Sequence, residues 1–438
     1  MIEAFTAEHV PRRIRRACRE NREIPAIAWV EPGAYAQWVA GTSSLPHVSL
    51  SFAELDRRAS ALAAELSCFG VEAGDRVLVL LPLNAKLAVA ACAVHRLGAS
   101  LVTCEGWDQS TNLGRIDAPI RCIIAPPLVY QVFGGTRPIR NAPIRIIADG
   151  VGREFDGEFT ALTYSRKSRA PVEVSPDAEC WLSHGPRSKT SFGALARLAK
   201  TLGTDISGGQ ALATSLLSVL VNLADGVTSV LPPVDLRDPD EYDGQMLIEQ
   251  MRVTECWSAY LPSGVIGRLV AERESKLPLL ERVCAYGEPL APEKVAALED
   301  MFPRMELVRF FGPHERWPVA GLRGCGPPRE EKTGLSAGTL LPELEARVIR
   351  AGKPSGRRSV VRWSDWVAKP GQRGELVVYD PLRAGAYAGW ESVLIGPDHR
   401  AWYRTGHSVS IDDLGALRWH RRLRRLTRHP DSPAIVSR

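Results

Sequence analysis

The spacing of apolar positions changes several times between Ser51 and Thr103, and each change marks an element. Ser51, followed three residues later by Glu54, is a capping box that opens a helix. Leu55, Ala59, Leu62, Ala63 and Leu66 then fall on one helical face until Gly70 stops it. Val77 to Leu81 is a continuous run of Val and Leu of strand length. A second helix is predicted from Ala85 to Leu97, ended by Gly98, and a strand from Ser100 to Thr103. This is a strand–helix–strand unit, and runs so apolar suit a parallel sheet covered on both faces.

The alternation continues. Strands are predicted at Arg121–Ala125, Ile144–Ala148, Gly226–Leu231, Glu255–Leu261, Arg282–Ala285 and Leu307–Phe311. Helices are predicted at Phe192–Leu202, Gln210–Ala224, Gly244–Arg252, Pro262–Ala271 and Pro292–Met301. After about residue 330 strands dominate, as at Leu344–Ile349 and Glu375–Tyr379, separated by Gly-, Pro- and Arg-rich loops. The expected architecture is α/β: a large doubly wound core of mixed or parallel sheets with helices over residues 1–330, a smaller β-rich subdomain over 331–420, and a basic tail over 421–438.

Composition narrows the setting. With 438 residues, 45% of them hydrophobic, the chain can bury one large core or several subdomains. A net charge of +5 is mildly basic and implies no nucleic-acid partner. No apolar run approaches the roughly 20 residues that a membrane-spanning helix needs. The N-terminal basic residues have no apolar stretch behind them, so they do not form a secretory signal. The nine cysteines include no C-x-x-C pair, and Cys92, Cys104, Cys122 and Cys284 sit in apolar runs. Reduced buried thiols in a cytoplasmic protein are expected.

Candidate chemistry lies in ordered fragments. Tyr286-Gly287-Glu288-Pro289-Leu290 follows a strand, then Phe311-Gly312-Pro313-His314-Glu315 follows another. Gly374-Glu375-Leu376-Val377-Val378 leads to Gly385-Ala386-Tyr387, and Trp402-Tyr403-Arg404-Thr405-Gly406-His407 comes last. With the opening module, these fragments resemble, in order and spacing, the adenylate-forming (AMP-binding) superfamily of acyl-CoA synthetases, luciferases and peptide-synthetase adenylation domains. The resemblance covers about Leu45 to Arg421. It implies activation of a carboxylic acid with ATP and Mg²⁺, followed by transfer to a thiol.

The same resemblance implies roles for residues, and several positions depart from the family pattern. The phosphate loop, Thr-Ser-Gly-Ser-Thr-Gly-x-Pro-Lys-Gly in the family, corresponds to Ser183-His184-Gly185-Pro186-Arg187-Ser188-Lys189-Thr190-Ser191-Phe192. Gly185 survives, Pro186 lacks an N–H donor, Ser188 stands at the second glycine, and Ser191 stands where the lysine is by strict count. Arg187 and Lys189 bring positive charge to a phosphate in one reading and form a solvated basic loop in the other. Glu315 matches the metal-binding glutamate, a hard oxygen ligand suited to Mg²⁺. Phe311 takes the place of the adenine-stacking Tyr, and His314 replaces a Thr near the α-phosphate; the competing reading makes Gly312-Pro313 a turn and Glu315 a cap. His407 replaces the Asp that accepts from both ribose hydroxyls, which a neutral imidazole with one acceptor nitrogen does not do. Arg421 matches the hinge-side Arg.

Leu212-Ala213-Thr214-Ser215 falls where amino-acid-activating members carry Phe-Asp-x-Ser, so an aryl or fatty acid is expected rather than an α-amino acid. Helix packing explains the same leucines. The family's C-terminal subdomain, with its catalytic Lys, is expected to be absent, since the sequence ends at Arg438. The Arg-rich tail is either a solvated terminus or a surface for an acyl carrier protein; CoA is the other thiol acceptor implied. Two functions stay open: a divergent acid ligase, and a non-catalytic module that binds or scaffolds a biosynthetic partner.

Overall fold

The computed structural model describes residues 9–31, 47–104, 113, 116, 118–152, 154–183, 188–203, 208–233, 244–272, 277, 279–312, 318–324, 334–350, 366–382, 393–395 and 400–423. The chain divides into two compact units, Met1–Tyr260 with Leu382–Gly385, and Leu261–Pro381 with Ala386–Arg438. The change of texture near residue 330 falls inside the second unit.

In the first unit a seven-stranded sheet runs in the order Gly157–Glu158, Ile144–Ile147, Cys122–Ala125, Arg76–Val79, Ser100–Thr103, Glu179–Ser183, Ser188–Ser191. Every neighbouring pair is parallel except the last, an antiparallel hairpin. The four-residue strands Ser100–Thr103 and Cys122–Ala125 are buried at every position, which is why they read as unbroken apolar runs. The helix Phe52–Cys68 packs on Ala85–Arg96 and on the basic helix Val10–Glu20. Only half of the expected capping box forms: Ser51 Oγ accepts from the Glu54 N–H at 3.2 Å. The Glu54 carboxylate turns instead to Arg58, whose Nε–H donates to it at 2.8 Å, because an i,i+4 cation competes with the cap.

A second sheet of this unit orders Val48–Ser51, Pro25–Trp29, Thr228–Val230, Gln210–Ala213 and Ser258–Pro262. Here the single helix expected over Gln210–Ala224 is corrected. Gln210–Ala213 is a parallel strand with neighbours on both sides, and the helix begins only at Leu216. Burial of Ala211, Leu212 and Ala213 between two strands overrides their helix propensity. Ser215 and Ser218 then form a reciprocal capping box, each side chain accepting from the other's backbone N–H at 3.2 and 3.1 Å.

In the second unit Arg282–Gly287 and Glu306–Phe311 pair in parallel and in register along their length. Antiparallel strands continue as Ala320–Arg323, Leu335–Leu340, Ala416–Arg422, Ala401–Ile411, Gly374–Tyr379 and Glu345–Ile349. Their core gathers Phe311, Val319, Leu376, Tyr403, Val409 and Leu417. The helix Pro292–Met301 has the bounds its pattern predicts, with Pro292 at its first turn.

Candidate functional site

The residues singled out in the sequence fall into two groups, one in each unit. In the first unit Ser183 and Ser188 pair directly and close the hairpin. Gly185 and Arg187, between them, lie outside the described residues. Lys189 stands opposite Leu182, and the buried Thr190 opposite Trp181. Ser191, expected at the lysine position, is a helix cap: its Oγ accepts from the Ala194 N–H at 3.1 Å and donates to the Leu382 carbonyl.

The Lys189 ammonium lies 3.4 Å from Glu179 Oε2. The same carboxylate accepts from Arg76 Nε–H at 2.7 Å and Nη2–H at 3.1 Å, and from Ser100 Oγ–H at 2.8 Å. Burial alone would raise the Glu179 pKa. The hydrogen bonds and charge of Arg76, with Ser100 and Lys189, outweigh it and hold the carboxyl below its ordinary value. Lys189 therefore balances a buried carboxylate. Where the acid pocket is expected, Ala213 is fully buried at a strand end, and Thr214 Oγ–H donates to the Tyr260 carbonyl at 2.6 Å. Nothing at these two residues offers a carboxylate to an ammonium group.

In the second unit Glu288, Pro289, Leu290 and Phe311 line a small recess with Ser263 and Arg309. The turn beside it depends on Gly287, whose φ of +112° is open to glycine and strained for other residues. Ser263 Oγ pins that turn from both sides, at 3.1 Å from the Tyr286 carbonyl and 2.6 Å from the Glu288 carbonyl. Phe311 is buried in the core, and Gly312 follows it. Pro313, His314 and Glu315 lie outside the described residues, and with them the expected metal ligand. Among the described residues no group of three or more His, Cys, Asp or Glu side chains is arranged to hold a metal ion.

His407 is buried on the long strand Ala401–Ile411. Its ring meets Phe311 edge-on, with centroids 5.2 Å apart at 78°. Trp419 Nε1–H donates to its Nδ1 at 3.0 Å. Burial first, then the charge of Arg422, lowers the His407 pKa to about 4. The structure thus brings Phe311 and His407 together. Arg421 stands apart: it is exposed, in register with Ser408, while the neighbouring Arg422 is in register with His407.

From the resemblance, His407 is expected where two ribose hydroxyls would need acceptors. The His407 ring does not fit that pair of donors. The only acceptor nitrogen of the neutral His407 ring is already occupied by Trp419.

Glu179, Ser263, Trp419 and Arg422 were not singled out by the sequence. Glu179 carried one signal, a lone acid heading the apolar run Cys180-Trp181-Leu182. For Trp419 nothing local points to His407. The pairing arises where a register shift between Ser408 and Val409 sets Trp419 opposite Val409, a diagonal neighbour of His407.

A sequence model of the AMP-binding enzyme family matches residues 15–110 and 210–388, more than half of the chain. Lys189 and His407 both lie outside the matched stretches. An olefin beta-lactone synthetase of Stenotrophomonas maltophilia is 25% identical over 408 residues, covering 85% of this chain and 72% of that protein. A salicyl-AMP ligase / salicyl-S-ArCP synthetase of Mycobacterium tuberculosis is 26% identical over 410 residues, covering 85% and 67%. Among solved structures, the luciferase-like enzyme of the mealworm Zophobas morio superposes with a TM-score of 0.72 at 15% identity, over 98% of both chains. A long-chain-fatty-acid-CoA ligase of Archaeoglobus fulgidus gives 0.70 at 18% identity, over 95% of this chain and 84% of that one. These two likenesses establish the fold.

Proposed function

The chain belongs to the AMP-binding enzyme family, and on that premise we propose that it binds a carboxylic acid as a divergent synthetase/ligase-like protein whose own nucleotide contacts have been turned inward. The observation that carries this reading is the hydrogen bond from Trp419 to His407, which uses the acceptor that a ribose would need. Two-step ligation by this chain alone is then weak or absent. The relation to carboxylic-acid activation rests on relatives such as the salicyl-AMP ligase, whose name pairs an aryl acid with a carrier protein. Ala213 supports an aryl or fatty acid over an α-amino acid, because a methyl group leaves a substrate ammonium unpaired. A carrier protein or CoA is the acceptor class that fits this reading. ATP and Mg²⁺ belong to the family's reaction, and Glu315 is the residue proposed for the metal.

A panel of aryl and fatty acids, assayed for acid-dependent exchange of pyrophosphate into ATP and separately for acid binding by calorimetry, tests the proposal. Acid binding with little or no exchange is expected. Rapid exchange would refute it. A second reading, a scaffold that binds a biosynthetic partner and no acid, is favoured by the Lys189–Glu179 pair, which commits a phosphate-loop cation to the fold. Failure of every acid to bind would select that reading.

A further inference from the structure

Three contacts immobilise His407. Trp419 Nε1–H donates to Nδ1 at 3.0 Å. The Phe311 ring meets the imidazole nearly perpendicular to it. The His407 backbone N–H donates to Thr405 Oγ at 3.2 Å, and that hydroxyl donates in turn to the Leu376 carbonyl at 2.9 Å. A ring flip would put Cδ2 in place of Nδ1 and leave a half-buried indole N–H unpaired.

The tautomer follows from the donor. An indole N–H only donates, so Nδ1 must be bare, and the single proton of the neutral ring sits on Nε2. Burial keeps the ring neutral near physiological pH, with a pKa of about 4. A position that accepts twice in adenylate-forming enzymes has become one that donates once.

We infer that Trp419 is a positioning residue that fixes His407 as a single Nε2–H donor, and that this position selects for a ligand offering one hydrogen-bond acceptor and against the vicinal diol of a ribose. The inference rests on the functional reading above and names the selectivity of the same site. A diol hydroxyl placed against Nε2–H can accept one bond, but neither hydroxyl proton finds an acceptor on the ring. Removing both hydroxyls therefore costs the ligand little.

Two substitutions, isosteric with each other, separate donor from acceptor. In His407→Asn or His407→Asp a δ-oxygen falls at the Nδ1 position and keeps the Trp419 bond. The other δ-atom stands at the Cδ2 position, one bond short of Nε2, and is an N–H donor in Asn and a carboxylate oxygen in Asp.

The deciding measurement is calorimetry of the unmodified chain with ATP and with 2′,3′-dideoxy-ATP, both with Mg²⁺. A preference for ATP below about ten-fold, or no detectable binding of either, is expected; a larger preference overturns the inference, since a charge-assisted hydrogen bond is worth about ten-fold or more. His407→Asn is expected to behave like the unmodified chain, and His407→Asp to prefer ATP by about ten-fold or more. Histidine-selective ¹⁵N NMR supplies a readout that requires no variant. A His407 signal with the proton on Nε2 is expected, and one with the proton on Nδ1 overturns the inference. In Trp419→Phe the fixed tautomer should give way to a mixture. Rapid pyrophosphate exchange would sink the functional reading alone, provided that ATP and its dideoxy analogue were used equally well.

Discussion

Glu179→Ala is the perturbation that most directly tests what Lys189 does. The substitution removes both Arg76 hydrogen bonds and the one from Ser100, and strands a guanidinium whose side chain is 22% exposed. Removing one partner of a buried ion pair costs about 3–5 kcal/mol, and the residual exposure of Arg76 lets water solvate it, so about 3 kcal/mol is expected. That corresponds to roughly a hundred-fold in the local opening equilibrium. Lys189→Ala removes only a 3.4 Å partner that is 19% exposed. It should cost about 1 kcal/mol or less, on the scale of an exposed pair. The assay is native-state hydrogen exchange read by mass spectrometry on peptides covering Arg76–Val79, Ser100–Thr103 and Glu179–Ser183, with Gly374–Tyr379 in the second unit as control. The sign of the pH dependence follows from the depressed Glu179 pKa. The stabilisation is present above the ordinary glutamate value of 4.5 and is lost as pH falls through the lower folded value. Two results would refute the reasoning: exchange changed by less than about three-fold in Glu179→Ala, or unchanged exchange in Lys189→Ala together with loss of ATP binding. The second would return Lys189 to the phosphate site.

Other consequences are open to direct measurement. Cys68 is the exposed member of the described cysteines, and Lys167 Nζ–H donates to its sulfur at 3.4 Å. Burial pushes Cys92 and Cys256 up to about 12 and Cys284 up to about 11. Brief iodoacetamide treatment of the native protein should label Cys68 before these three, as mapped by peptide mass; earlier labelling of any of them would contradict the burial. His95 is buried, with Nε2–H donating to the Cys180 carbonyl at 3.0 Å, and burial lowers its pKa to about 4. It is neutral when folded and takes up a proton on unfolding below 6.5, so stability should fall as pH drops from 6.5 towards 4. His95→Gln should flatten that fall in urea titrations across the same range, and an unchanged slope would exonerate His95. Ser215→Ala removes one arm of the capping box and should cost about 1 kcal/mol, read as a lowered urea midpoint; no change would mean that packing alone sets that helix start.

The alternation of apolar runs placed the elements whose burial is local, because a strand buried on both faces or a capped amphipathic helix is written in neighbouring residues. Ser100–Thr103 and Pro292–Met301 were readable to the residue. Gln210–Ala213 was not, because its burial comes from strands at Thr228–Val230 and Ser258–Pro262 that local propensity does not see. The motif order was likewise enough to name the family, and it drew attention to Phe311 and His407. What those positions do now depends on side chains brought in from elsewhere. Arg76 meets Glu179 across 103 residues of sequence, and that meeting decides where Lys189 directs its charge. Trp419 reaches His407 through a register shift between antiparallel strands, and that contact decides which nitrogen carries the proton. Residue identity along the chain sets which groups can donate, accept or carry charge. Only the tertiary fold decides which of those capacities are spent inside the protein and which remain for a ligand, because a hydrogen bond acts over about 3 Å of space, whatever the separation in sequence.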